Sequence, residues 1–402
     1  MVRATFSGFN TALSALQANQ KRLDITGQNL SNMNTAGYTR QQLEASSLNY
    51  TNPVSHYSNG NETAVGFGVS MDRVSQIRDP YLDIQYRSQS ADCSYTNRLQ
   101  TALNSLSKVL DETTISGIRQ AFDDLSTLTS MQDPAKVSDP IYESELRTKM
   151  QSVCNLFNQA SRQITQAEQN EFQRLTGEGS SEQGDVQKIN DILRQIGDLN
   201  VQIKRNQVAG HPSLELQDKR NLLLDELSGY IPVETRYYKD DAHSGNNAYD
   251  HDANGAVIGK KDWPDDLEVS MNYIDAKGKS QKLILVNGSD LGADGLTKNY
   301  GQLSVLKGDH QTAASVSDPA NISIKFEKAP SYKGNGQAAT NNVYAELKGI
   351  RFEGGSLQAS LDMLQKTGTG NVINGSTAVD DVRGYQYYSR PFQVLCKFKK
   401  LI

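Results

Sequence analysis

Cysteine is scarce in this chain: three residues in 402, Cys93, Cys154 and Cys396, odd in number, widely spaced and without a Cys-x-x-Cys pair. That set argues against a disulfide framework or a thiolate zinc site. Long apolar runs are missing too. The densest, Leu283-Ile284-Leu285-Val286, falls far short of the roughly 18–20 residues a membrane span needs, so no membrane insertion is expected. The N-terminus carries neither the apolar core nor the small-residue cleavage site of a secretory signal, which by itself reads as cytoplasmic. The net charge is only −5, and no basic stripe appears outside the last few residues. Nucleic acid is therefore not an expected partner, because phosphate binding needs a concentrated Lys/Arg footprint.

Catalytic patterns are equally sparse. His56, His211, His243, His251 and His310 are scattered and form no His-Glu-x-x-His pair. Gly66-Phe67-Gly68 and Gly368-Thr369-Gly370 lack the further glycines or the Lys-Ser/Thr that would cradle a phosphate. No Ser or Cys sits in a nucleophile elbow. The expectation is a protein that is not an enzyme and carries no cofactor.

What the chain does have is uncharged polarity and helical rhythm. Hydrophobic residues make up 37% of it, and its mean hydropathy is −0.59. Such a surplus suits extended surface, or surfaces that meet copies of themselves. Phe6, Phe9, Leu13, Leu16, Gln20, Leu23, Gly27 and Leu30 recur at alternating spacings of three and four. This is a heptad seam flawed only at Gln20 and Gly27. A stripe that narrow makes no core alone and needs a partner helix, although spacing alone also fits an ordinary amphipathic helix. The Asn/Ser/Thr-rich run from Gln28 to Arg40, with Gly37 in it, predicts a helix stop and a sharp turn.

Residues 80–229 read as helical. One stripe is Tyr95, Leu99, Ala102, Leu106 and Val109. A second is Leu146, Met150, Val153, Phe157, Ala160, Ile164 and Ala167, and a third is Ile189, Ile192, Ile196, Leu199 and Ile203. Breaks at Ser116-Gly117, Asp133-Pro134, Asp139-Pro140, Gly177-Glu178-Gly179 and Gly210-His211-Pro212 predict an elongated antiparallel bundle. After Pro232 the alternation changes. Leu267, Val269, Met271 and Tyr273, then Leu283 and Leu285, then Ile322, Ile324 and Phe326 mark strands. Helical spacing returns at Leu357, Leu361 and Leu364. The fold class expected is mainly α with an inserted β-rich domain.

Residues 1–45 resemble the N-terminal signature shared by flagellar rod, hook and hook-associated proteins. The residues that carry the likeness are the amphipathic helix, Asn29-Leu30-Ser31-Asn32, and Asn34-Thr35-Ala36-Gly37-Tyr38-Thr39-Arg40. Two further segments are similar to the hook–filament junction family, hook-associated protein 1. One runs from Leu214 to Ser228, with Leu216, Asp218, Arg220, Leu223, Leu224 and Leu227. The other joins Gly354-Gly355-Ser356-Leu357, Leu361-Asp362-Met363-Leu364 and Gly384-Tyr385-Gln386-Tyr387-Tyr388. The resemblance covers residues 1–230 and 350–389; residues 235–345 match in position only.

The resemblance implies a structural subunit joining hook to filament. It would be exported unfolded, without a cleaved signal peptide, through the flagellar type III apparatus to an extracellular site. The implied partners are copies of itself in a tubular assembly, hook subunits, the next junction or filament protein, and an export chaperone. Its implied domains are residues 1–35, the N-terminal helix of an inner tube domain; 36–232 with 346–389, a helical bundle; and 233–345, an outer β-rich insertion. The alternative within the superfamily is a hook or rod subunit.

Residues 390–402 depart from the family. They carry four basic residues and no acid, where the family continues as helix. The expectation is a frameshifted or mis-called end after about Ser389, leaving the first helix short of its partner and the chain poor at assembly. A basic membrane-surface or partner-binding tail is the alternative. Asp250, Asp252 and Asn254, followed by Gly255, match the start of a calcium loop, but Lys261 stands where a bidentate Glu is needed. The same residues make an ordinary turn between strands. Trp263, Tyr237, Tyr238, Tyr249 and Tyr273 suit either a recognition face on the β region or its core.

Overall fold

A computed structural model of the chain describes residues 7–48, 68–110, 117–129, 139–209, 211, 213–239, 249–251, 257–260, 265–274, 279–288, 298–307, 313–316, 322–327, 332–333, 337–338, 345–347, 351–365, 384–385 and 388–389. Phe6, Val109, Asp252, Asn254, Trp263 and the 390–402 tail lie outside this set or have side chains that do. The chain forms two compact units, Met1–Asp83 with Val201–Leu222, and Ile84–Asn200 with Leu223–Ile402.

The helices begin and end where local chemistry says they should. They are α1 (Ser7–Ser31), α2 (Pro80–Leu110), α3 (Ile118–Thr129), α4 (Pro140–Thr176), α5 (Asp185–Val208), α6 (Leu214–Tyr230) and α7 (Gly355–Gln365). Helix α4 shows the rule at both ends. The Asp139 side chain accepts the Ile141 amide and Pro140 opens the first turn, where its missing N–H costs nothing. Gly177 closes the helix in the left-handed region, at φ 77°.

In the first unit, α1 packs on an antiparallel hairpin of β1 (Gln41–Ser47) and β2 (Val69–Gln76), with a register shift between Glu44 and Ala45. The sequence reading placed this stretch inside a helical bundle. It is sheet instead, and the alternation that marks strands is faint here because both strands are half-exposed and mostly polar.

In the second unit the helical stripes are buried largely as spaced: Ala102, Leu106, Val153, Phe157, Ala160, Ile164, Ile189, Ile192 and Ile196. Met150 is exposed. The strands are β3 (Glu234–Lys239), β4 (Tyr249–His251), β5 (Val257–Lys260), β6 (Asp265–Ile274), β7 (Ser280–Asn287), β8 (Gln302–Lys307), β9 (Ile322–Glu327), β10 (Tyr332–Lys333), β11 (Gln337–Ala338), β12 (Ala345–Leu347) and β13 (Arg351–Phe352). Strand β6 pairs antiparallel with β3, β7 and β13, and β9 lies between β8 and β12.

Leu267, Val269, Met271 and Tyr273 are buried as their alternation requires. They join Phe172, Leu193, Leu224, Phe326, Phe352 and Met363 in one continuous hydrophobic core. The β region of this unit thus shares its core with the helices. Asn190 fastens the two, giving and receiving hydrogen bonds with the Leu303 backbone at 2.8 and 2.7 Å.

Candidate functional site

The signature residues build a knot at the end of α1. The Asn29 amide acts as a stand-in strand: its Nδ2 donates to the Gln41 carbonyl and its Oδ1 accepts the Gln41 amide, both at 2.9 Å. The same oxygen accepts the Tyr38 hydroxyl at 2.9 Å. Asn32 caps the helix end by donating from Nδ2 to the Gln28 carbonyl, and Ser31 donates to the Gly27 carbonyl. Thr35 returns a hydrogen bond to Asn32 Oδ1.

Gly37 sits at φ 78°, and a Cβ there would stand 3.3 Å from Leu222. The position therefore disfavours a side chain by its left-handed conformation, and Leu222 would have to shift slightly to admit one. The next turn is fastened by α6, where buried Asp218 accepts the Thr39 amide at 3.1 Å. Partial burial, with Asp218 and Glu215 nearby, raises the Tyr38 hydroxyl above its ordinary pKa and keeps it a donor. Of the short polar residues of the signature, Ser31 and Asn32 bond backbone one turn away, while Asn29 bonds backbone twelve residues on.

The seam of α1 faces outward. Phe9 is 66% exposed, Leu16 67%, Leu23 72% and Leu30 70%, with Leu13 less so at 42%. The face α1 turns to the hairpin is a different one, made of Ala18, Ile25, Asn29 and Ser14, whose Oγ accepts the Val69 amide at 3.3 Å. Beside it, Lys21, Asp24, Ile25 and Gln28 line an open cleft of about 650 Å³ with Leu214 and Leu216. Leu216 and Asp218 thus serve the first unit and Arg220 is buried, while Leu224 and Leu227 are fully buried in the second unit's core and Leu223 packs against it. Asn34 is exposed.

Sequence reading missed the charged interior of the second unit. Arg98 donates from Nε to Glu171 Oε1 at 3.0 Å and from a second nitrogen to Oε2, with both residues buried. It also donates to Ser360 on α7. Asp362, again on α7, accepts Tyr95 and Gln358 at 2.8 and 2.6 Å. Helix α7 is buried on all sides, polar residues included. Arg87, 2% exposed, is held by Asp225 at 2.8 Å. Arg98 follows a stripe residue by three positions, so its place on the inner face is a signal the sequence does contain. Burial raises the Asp185 carboxyl; Lys188 and Arg98 oppose the rise.

The remaining candidates do not gather into a site. Asp250 lies on β4, whose pairing with β5 sets His251 opposite Val257; Asp252, Asn254 and Gly255 lie outside the described residues. Among the described residues no group of three His, Cys, Asp or Glu could hold a metal, and no helix is long and apolar enough to cross a membrane. Tyr237 is 45% exposed while Tyr273 is buried, so these two do not share an open face.

Residues 103–372, more than half of the chain, match the family described as flagellar hook-associated protein FlgK helical domain. The chain belongs to the FlgK family. Residues 9–39, α1 and the knot, separately match the flagella basal body rod protein family. The FlgK match itself takes in most of the charged interior and all of the β region through α7.

Among relatives, flagellar hook-associated protein 1 of Bacillus subtilis is 34% identical over 246 residues, 61% of this chain and 46% of that protein. The Escherichia coli protein of the same name is 28% identical over 227 residues, 56% of this chain and 39% of that one. The chain thus spans less than half the length of these FlgK relatives. The solved FlgK hook junction protein of Burkholderia pseudomallei aligns with 70% of this chain and 38% of its own, at 18% identity and a TM-score of 0.41.

Proposed function

We propose that this chain is a structural subunit of the bacterial flagellum at the junction of hook and filament. The observation that carries the reading is the FlgK match over residues 103–372, joined to relatives named hook-associated protein 1. The knot at Asn29–Gln41 supports it as the device that holds α1 at a set angle while its seam stays open for assembly. Partners on this reading are copies of the chain, hook subunits, and the next junction or filament protein, with an export chaperone before assembly. Export proceeds without a cleaved signal peptide and ends outside the cell. The role is mechanical: Phe9, Leu13, Leu16, Leu23 and Leu30 offer apolar area to a neighbouring helix, and residues 233–345 form the outward-facing part. No catalytic step is assigned.

The test is immunogold electron microscopy of bacteria lacking their own junction protein and producing this chain with an epitope. Label at the distal end of hooks is expected. Label found only inside the cells, or along rods, would sink the reading.

A further inference from the structure

Helix α7 fills a slot whose walls come from far earlier in the chain. We propose that α7 is the key that closes the second unit: α2 and α4 do not hold together as a folded pair until α7 is seated against them, so the unit folds only as a whole.

Few of the 11 residues of α7 reach solvent. Leu357, Ala359, Met363 and Leu364 are fully buried and Leu361 is 2% exposed. The start of the helix sits close against α6 and α2. A Cβ on Gly355 would stand 2.2 Å from the Tyr230 carbonyl oxygen, and one on Gly354 3.6 Å from the Ala91 Cβ. The helix also packs on α4, β9 and β13, and Gln365 donates to the Ile322 carbonyl at 2.6 Å. Four large apolar side chains withdrawn from water stabilise by an amount comparable to the whole net stability of a domain. Taking α7 away therefore leaves its neighbours little margin.

The walls that α7 meets are polar as well as apolar. Arg98 and Glu171, 8% and 6% exposed, pair directly between α2 and α4, and Arg98 donates onward to Ser360 at 3.3 Å. The Tyr95 hydroxyl donates to Asp362 at 2.8 Å. An apolar slot closes by collapse when its filler is absent. This one does not, because collapse buries the Arg98–Glu171 pair without Ser360 and the Tyr95 hydroxyl without its acceptor. Left open, the slot takes in water and exposes the apolar residues beside it. Neither state of the empty slot is stable.

Helix α7 matches both kinds of wall. Ser360 and Asp362 meet the polar groups, while Leu357, Leu361 and Leu364 meet the apolar ones. Gln358 holds Asp362 in place by donating to it at 2.6 Å, and its own oxygen accepts the Phe352 amide at 2.9 Å. A helix with a single apolar stripe leaves Arg98 and Tyr95 unsatisfied, so the slot selects α7 over the other helices of the chain. Tyr95 and Asp362 are 267 residues apart. For a chain exported unfolded, as the family resemblance implies, closure waits until both α2 and α7 are clear of the export channel. That consequence alone rests on the junction reading.

Native-state hydrogen exchange of the full 402-residue chain in low urea tests the coupling. Protection in α7, in α2 beyond Ala91 and in α4 beyond Val153 should agree within about tenfold and converge as urea rises, as a single opening requires. Protection in α2 and α4 that exceeds that of α7 by more than about tenfold overturns the proposal.

A second test separates the polar walls from simple loss of packing. Leu361→Asp bars α7 from its slot. In the parent chain, circular dichroism should then lose the helix of α2 and α4, 31 and 37 residues, and not the 11 of α7 alone. In a background carrying Tyr95→Phe, Arg98→Met and Glu171→Leu, the walls close on each other, and the same Leu361→Asp should lose α7 only. A parent that keeps α2 and α4 helical with Leu361→Asp overturns the proposal. So does an apolar-walled background that unfolds as fully as the parent. None of these outcomes bears on immunogold label at the hook, so the coupling and the junction reading fail separately.

Discussion

Replacing Asn29 by alanine should loosen the turn that follows α1 while leaving the helix itself intact. The amide makes three hydrogen bonds, two to the Gln41 backbone and one from Tyr38, in a half-buried setting. Each contributes about 0.5–1.5 kcal/mol net, and the groups left behind are near enough to solvent to rehydrate in part. The expected loss is about 2 kcal/mol of local stability. It is local because alanine favours the helix by up to about 0.7 kcal/mol, so a global melt would mask part of it.

Amide hydrogen exchange at Gln41 isolates the effect, since that N–H points at Asn29 and not across the hairpin ladder. A loss of about 2 kcal/mol means exchange about 30 times faster. Tyr38→Phe removes one of the three bonds and should speed the same amide about fivefold. Asn29→Asp keeps the acceptor but aims an oxygen at the Gln41 carbonyl, so it should fare no better than alanine. If Asn29→Ala moves Gln41 exchange by less than about threefold in a folded chain, the amide is not holding the turn.

Three further outcomes follow from the second unit. Arg98→Ala leaves Glu171 buried and unpaired, and should cost about 3–5 kcal/mol in urea unfolding. Arg98→Met combined with Glu171→Leu should recover most of that; a cost under 1 kcal/mol for the single change would refute the account. Gly355→Ala forces φ 88° on a side chain whose Cβ would stand 2.2 Å from the Tyr230 carbonyl oxygen. It should destabilise by at least about 1–3 kcal/mol or move the start of α7, visible as a lowered Tm.

Asp185 has its carboxyl raised by burial above the ordinary 3.8. Its stabilising share is therefore full below that value and lost as pH rises through the raised one. The Tm of Asp185→Asn relative to the parent should climb over that interval, and a pH-independent difference would contradict the sign.

Much of this protein was legible because the signals were local. The three-and-four spacing of α1, the Asp-Pro opening of α4 and its glycine stop, and the alternation of Leu267 to Tyr273 all report what the backbone does within a few residues. The Asn/Ser/Thr/Gly run predicted the turn after Leu30 for the same reason. What the local pattern lacked was any mark of which polar side chains find partners far along the chain. Arg98 and Glu171 are 73 residues apart and Tyr95 and Asp362 are 267 apart, so their burial is paid by compensation that exists only once the elements meet.

The hairpin at residues 41–76 was hidden for a related reason: its strands are held by α1 and the Asn29 amide more than by their own apolar pattern. By itself, then, the sequence determined where the helices stop, which stretches outside that hairpin are helix or strand, and that α1 carries an apolar stripe. Only the tertiary structure decided that α1 packs on the hairpin through Ala18 and Ile25 and leaves that stripe in solvent. Burial is a property of the neighbours a face acquires, and those neighbours lie elsewhere in the sequence.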